Sequence, residues 1–226
     1  MIDWPAVTEE LDAEGVALTG PLLTPDGCAE IRELFDRREH FRSTVHMAAH
    51  RFGEGVYRYF RAPLHPVVAD LRERLYPPLA GIANAWAARL GEEGFPERHA
   101  ELLDRCAAAG QHRPTPLLLR YGRGGYNCLH QDVYGELTFP LQVAIMLDRP
   151  DQDFTGGESV FVEQRPRAQS RPIVRRPGQG QGMIFTVRHR PVRSARGWSR
   201  VALRHGVSAV HGGARHVLGI IFHDAR

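Results

Sequence analysis

The sequence predicts a mostly β protein with flanking α-helices and a double-stranded β-helix, or jelly-roll, core. Three observations lead there. After Pro114 the chain breaks into short apolar runs: PLLLRY, NCLHQD, PLQVAIML, ESVFVEQ, PIVRR, GMIFTV, SRVALRHGV and RHVLGIIFH. Turn signals rich in Gly, Pro and Asp separate them, and many short strands at this spacing suit a sandwich, barrel or jelly roll. Before Pro114 the texture is mainly helical, and no repeat or linker divides the 226 residues. A single domain over 1–226 is therefore expected. Residues 1–112 would form a helical and mixed buttress and lid, and residues 113–226 the core.

The elements follow in order. Residues 3 to 14 read as a helix and Gly15 to Leu23 as a strand. Thr24 is an N-cap with Pro25 at the first helical position, and Ile31, Leu34 and Phe35 at helical spacing carry that helix to about Arg42. The stretch VHMAAHRFGEGVYRYFRAPL holds two extended runs about Gly53-Glu54-Gly55, a plausible hairpin. Helices are expected at about 66 to 90, interrupted or kinked near Pro77-Pro78, and at about 96 to 109. In the β-rich half, VRHRPVRSARGW reads as a loop-like insert.

Composition narrows the setting. No apolar run approaches the roughly 20 residues that a membrane helix requires, so no membrane association is expected. The first residues, MIDWPAVTEELDAEG, are acidic and lack the apolar core of a secretory signal. Cys28, Cys106 and Cys128 are odd in number and dispersed, which argues against a disulfide framework or a thiolate zinc site and for a reducing cytoplasm. The 29 basic residues are all arginine, and 11 of them fall between Gln164 and Arg204, where there is no acidic residue. The other 18 face all 26 acidic residues, so the rest of the chain is acidic. Such a block suits a polyanionic partner; it equally suits a solvated arginine-rich face.

The chemistry starts at LHQDVYG. Strand alternation puts His130 and Asp132 on one face, so both could reach one metal ion. A second His-x-acid, His99-Ala100-Glu101, lies in a helical stretch. A 2-His-1-carboxylate triad leaves three positions open on iron(II), and the third ligand must come from a later strand. The candidates are His189, His205, His211, His216 and His223. Arg215 follows His205 by ten residues, and Gly212-Gly213 between them can reverse the chain into a hairpin. That places a guanidinium, the group suited to two-pronged carboxylate binding, in the cavity of the histidine.

This tail resembles the C-terminal signature of the iron(II)/2-oxoglutarate dioxygenases, in which the distal iron histidine is followed about ten residues on by a basic residue for the cosubstrate's far carboxylate. Tyr121, Gly124, His130 and Asp132 form YxxGxxxxxHxD, similar to the AlkB-type nucleic-acid dealkylases, whereas DFTGGESVFVE resembles the prolyl-hydroxylase-like branch. GMIF stands where the superfamily carries GD-x-x-x-F and lacks its aspartate. The match covers about residues 115 to 224, and the whole chain resembles a prokaryotic 2-oxoglutarate oxygenase family proposed to act on damaged nucleic acid.

The resemblance implies Fe(II) on His130, Asp132 and His205, with His189 as the fallback ligand. It implies 2-oxoglutarate on Arg215 and Tyr121, and dioxygen as the other small substrate. The expected reaction is oxidative dealkylation of DNA or RNA, with alkylated single-stranded nucleic acid as partner. The alternative is prolyl-hydroxylase-like hydroxylation of a protein, peptide or amino acid; a metal-free jelly roll that only binds ligands is the third reading. Tyr57, Tyr59, Arg188 and Arg190 are the candidate substrate contacts. YRYFR suits stacking of an unpaired base beside phosphate. It reads equally as a strand with Tyr57 and Tyr59 on one face and Arg58 and Phe60 on the other.

Overall fold

Alternation of apolar and polar residues in the second half of the chain resolves into two facing antiparallel sheets. The computed structural model describes residues 2–165, 167–195 and 197–226. In chain order the elements are α1 (Trp4–Glu14), β1 (Val16–Pro21), α2 (Pro25–Glu33), β2 (Phe41–His46), β3 (Gly53–Glu54), β4 (Val56–Phe60), α3 (Pro66–Leu90) and α4 (His99–Ala108). Then come β5 (Leu117–Tyr121), β6 (Tyr126–His130), β7 (Leu141–Met146), β8 (Phe154–Gly156), β9 (Ser159–Gln164) and β10 (Arg171–Arg175). The chain finishes with β11 (Gln181–Thr186), β12 (His189–Ser194), β13 (Gly197–Val207), β14 (Val210–Gly213) and β15 (Arg215–Ile220).

The larger sheet runs β1-β11-β7-β15-β5-β4-β2. The smaller runs β10-β9-β13-β6-β3, with β12 paired to the first half of β13. A short β14-β8 pair closes one end. This is the expected jelly-roll core, with strands of the first half completing both sheets. No helix among the described residues is long and apolar enough to cross a membrane.

The central strands of the large sheet serve two cores, because successive side chains point to opposite faces. Leu141, Val143 and Ile145 of β7 and Leu218 and Ile220 of β15 pack against Leu71, Leu75, Tyr76, Leu79 and Trp86 of α3. Their alternates, Gln142 and Ala144 on β7 and Arg215 and Val217 on β15, face the space between the sheets. The helical half therefore buttresses the sheet by filling one face, and the other face is left to line a cavity.

Four local expectations are corrected. α2 ends at Glu33 rather than near Arg42, giving way to short 3-10 turns before β2. Phe41 there pairs with Phe60 of β4, their rings 4.8 Å apart, and that sheet contact overrides helical propensity. α3 runs unbroken through Pro77 and Pro78. Residues buried on both sides of the prolines, among them Leu75, Tyr76, Leu79 and Ile82, hold it against the sheet. The supposed loop 187–198 contains β12, which pairs residue for residue with β13 from His189↔Ala202 to Ser194↔Gly197. Finally, His205 and Arg215 do not share a hairpin: β13 lies in the small sheet and β15 in the large one, with β14 between them in the chain.

Candidate active site

His130 ends β6 and His205 lies on β13, directly opposite it in register. Alternation points both rings into the space between the sheets, 4.2 Å apart. Asp132, two residues beyond His130, turns back between them. Its Oδ2 lies 3.1 Å from His205 Nε2 and its Oδ1 3.4 Å from His130 Nε2. One ligand atom from each residue falls within 4.8 Å of the other two, the grouping that could hold a metal ion.

The surrounding bonds set the orientation. His130 Nδ1 donates to the Cys128 carbonyl at 2.8 Å, which leaves the Nε2 lone pair facing inward. Tyr134 donates its hydroxyl to Asp132 Oδ1 at 2.7 Å, and Gln142 Nε2 donates to Oδ2 at 2.8 Å. Burial works against the Asp132 charge, but His205 and His130 outweigh it and hold the carboxyl well below its usual range. An ionised carboxylate and two inward imidazoles are the donor set that suits iron(II). Tyr134 and Gln142 were not singled out from the sequence, although Gln142 is the lone polar residue of the apolar run PLQVAIML.

A cavity of about 410 Å³ opens beside the triad, in the size range of small-molecule sites. Arg215 lies at its wall, 3% exposed. Within the described residues it has no carboxylate partner: Nη2 donates to Ser159 Oγ at 3.1 Å, and Nε is buried with no partner at all. The guanidinium lies 5.5 Å from the centre of the Tyr121 ring. Burial lowers the Arg215 pKa, and Tyr121, Asp148 and Glu158 counter that only in part. Burial likewise pushes Tyr121 up to about 12, so its hydroxyl stays a neutral donor. The Gly-Gly-Glu loop contributes here through Gly157, at φ +64, where an added Cβ would stand 2.9 Å from Arg215 Cδ. A buried cation without a counter-ion is costly, and a carboxylate entering the cavity would relieve it. The donor set and this orphaned guanidinium fit iron and 2-oxoglutarate respectively.

The remaining candidates scatter. Tyr57 lines the cavity, whereas Tyr59 on the same face of β4 lies behind it, covered by Arg42 at 4.5 Å. Arg58 and Phe60 are buried on the other face. Arg188 is exposed, and its carbonyl accepts a 2.8 Å bond from Gln131 at the cavity wall. Arg190 does not reach the cavity. It is 2% exposed, bonded to Glu163 Oε2 at 2.5 Å and to the carbonyls of Asp12 and Ala13 at the end of α1. Its role there is helix-end and core pairing, which corrects its reading as a substrate contact. His189, the fallback ligand, faces Glu92 at 3.6 Å. His211 is exposed, His216 Nδ1 bonds Asp148 at 2.9 Å behind the large sheet, and His223 is buried against the Phe139 amide.

The arginine block is not one surface. Arg165, Arg171, Arg175, Arg176, Arg190 and Arg200 pair with Glu163, Glu14, Asp151 and Glu92. Arg167, Arg188, Arg193 and Arg204 are exposed without an ion pair among the described residues, and Arg196 lies outside those residues. The acidic remainder of the chain is thus partner to much of the block.

A jelly roll with a His-Asp-His triad beside a cavity that ends on a buried arginine defines an iron(II)- and 2-oxoglutarate-dependent oxygenase. Its fold is similar to that of a Pseudomonas putida prolyl-4-hydroxylase, with a TM-score of 0.56 and 16% identity, covering 99% of each chain. It is also similar to a Burkholderia pseudomallei oxidoreductase of the 2OG-Fe(II) oxygenase family, with a TM-score of 0.52 and 18% identity, covering 99% of this chain and 94% of that one.

The sequence is more specific. Residues 55–225 match the Oxygenase-NA family, described as an oxygenase catalysing oxidative methylation of damaged DNA, and the chain belongs to that family. An uncharacterized Mycobacterium tuberculosis protein is 52% identical over 167 residues, 74% of this chain and 72% of its own length.

Proposed function

We propose that the protein removes alkyl groups oxidatively from damaged DNA or RNA, holding Fe(II) on His130, Asp132 and His205. The observation that carries the substrate is the family match over residues 55–225, whose description names damaged DNA. When bound with 2-oxoglutarate and dioxygen, the iron supplies the oxidising power that turns a substrate C–H into C–OH, while 2-oxoglutarate becomes succinate and carbon dioxide.

The chain's own residues do the rest by position. Arg215, with Ser159 and Tyr121 beside it, receives the far carboxylate of 2-oxoglutarate and so fixes its reach toward the triad. Tyr134 and Gln142 hold Asp132 in place. Ala144, Phe161, Met183 and Phe185 line the cavity and exclude water, protecting the site from side reactions. On an N-methylated base, the hydroxymethyl product would lose formaldehyde and restore the base.

Prolyl-hydroxylase-like hydroxylation is the second reading. The ten-residue interval from His205 to Arg215 and the Gly-Gly-Glu loop favour it, and one protein of similar fold is named a prolyl-4-hydroxylase. Mass spectrometry separates the two. Iron-loaded protein is given 2-oxoglutarate and air with a methylated single-stranded oligonucleotide or a mixed peptide pool. Loss of a methyl group from the oligonucleotide with succinate formed supports dealkylation; gain of one oxygen on a peptide overturns it. His205→Ala should abolish 2-oxoglutarate turnover on either substrate, and unchanged turnover would remove the proposed triad.

A further inference from the structure

We infer that His50-Arg51-Phe52 forms a base-stacking lip at the cavity mouth, which receives a nucleobase turned out of a single strand or an unpaired site. The inference rests on the nucleic-acid reading above and assigns that substrate a face of the molecule. YRYFR does not provide it, because Tyr59, Arg58 and Phe60 are buried.

Phe52 is 47% exposed, on a chain that buries most of its aromatic side chains. It lines the cavity mouth, as do the exposed side chains of Leu129 and Val133. The His50 ring stacks on Phe52, with centroids 5.4 Å apart and planes at 22°. Arg51 between them adopts a left-handed backbone, φ 59, and also lines the cavity.

The backbone holds this lip outward. Met47 is buried at one end, and its carbonyl accepts the Phe52 amide at 3.1 Å. Phe52's carbonyl accepts the Cys128 amide at 2.8 Å from β6. Gly53, at φ +131, packs so closely that an added Cβ would stand 2.3 Å from the Tyr126 carbonyl. The apolar ring is therefore exposed by a fixed scaffold next to His130's own strand, and little ordering cost remains when a ligand stacks on it.

The chemistry selects the occupant. A flat pair of rings beside a guanidinium matches a planar base attached to an anionic backbone. Arg51 has no ion pair among the described residues and lines the cavity; Arg188, likewise unpaired and exposed, is tied to the cavity wall through its carbonyl, which Gln131 bonds. Apart from Asp132 no acidic side chain among the described residues lines the cavity. Glu54, the lip's acidic neighbour, is exposed on β3 and is not among the lining residues.

The test is fluorescence anisotropy with a dye-labelled single-stranded oligonucleotide carrying one N-methylated base. It is run anaerobically on metal-loaded full-length protein with 2-oxoglutarate, whose own affinity is measured in parallel for every variant. Phe52→Ala should weaken oligonucleotide binding between about fivefold and a hundredfold and leave 2-oxoglutarate affinity unchanged. Phe52→Trp should bind as tightly as the parent or tighter, and Phe52→Leu, apolar but without a ring face, should resemble Phe52→Ala. Parental binding by Phe52→Ala or by Phe52→Leu overturns the lip while the nucleic-acid reading stands. Failure of the parent protein to bind the oligonucleotide overturns both.

Discussion

Arg190 and Arg215 are both buried in the β core, and they differ in what surrounds them. Arg190 at the end of α1 spends its terminal nitrogens on Glu163 and two helix-end carbonyls. Arg215 has one bond, to a serine hydroxyl. The Nε of each is unpartnered, so the contrast lies in the counter-ion. Burial of a cation does not by itself mark a binding site, nor does the lack of a carboxylate, since Arg58 is buried without one and bonds the Phe35 carbonyl away from the cavity. Arg215 differs from both in lacking a carboxylate and also lining the cavity.

The strongest way to break this contrast is to remove each cation in turn. Arg190→Met should strip Glu163 of its main buried partner and cost about 3–5 kcal/mol of stability by urea unfolding. The added change Glu163→Leu should recover most of that loss. Arg215→Met leaves no orphaned acid, so it should keep or raise the melting temperature. It should also weaken 2-oxoglutarate about a hundredfold, by calorimetry on metal-loaded protein kept free of oxygen, as expected for loss of two charge-assisted bonds. If both variants unfold alike and both bind 2-oxoglutarate, the distinction between a structural and a receptive arginine fails.

A smaller effect sharpens the receptive side. Tyr134→Phe and Gln142→Leu each free one Asp132 oxygen and should lower iron or cobalt affinity about 10- to 100-fold, read by equilibrium dialysis. The smallest effect belongs to the structural side. Burial opposes the Glu163 charge, but its bonds from Arg165 and Arg190 prevail and lower its pKa. A depressed carboxyl contributes stability that is complete above its unfolded pKa of about 4.3, and that stability is lost as pH falls through the lower folded value. Acid titration of the melting temperature below about pH 5 should therefore be steeper in the parent than in the Arg190→Met/Glu163→Leu variant.

The sequence pointed to the triad through the short His130-x-Asp132 spacing and the tail that follows His205, but Asp132 lies beyond the end of β6, so the turn after the strand and not alternation along it brings the carboxylate between the two histidines. It pointed to Arg215 because the interval from His205 is short. It could not show that these two residues occupy opposite sheets, since the crossing through β14 depends on pairing with β8, some 50 residues away in the chain. Arg190 misled for the same reason: its partner is Glu163 on a different strand, and a run of arginines looks alike whether paired or free. Tyr134 and Gln142 stayed hidden because a lone polar residue declares a role only when its acceptor is known. The unbroken α3 and the strand β12 were missed where tertiary packing and edge pairing outweighed prolines and arginines in the local sequence.

The placement of His205 and Arg215 in different sheets has a consequence for the protein's lifetime. A cosubstrate held at both points would act as a removable cross-brace between the two halves of the jelly roll. Protein lacking it should open more readily and be cut sooner by proteases, so its survival in a cell would follow the supply of a central carbon metabolite.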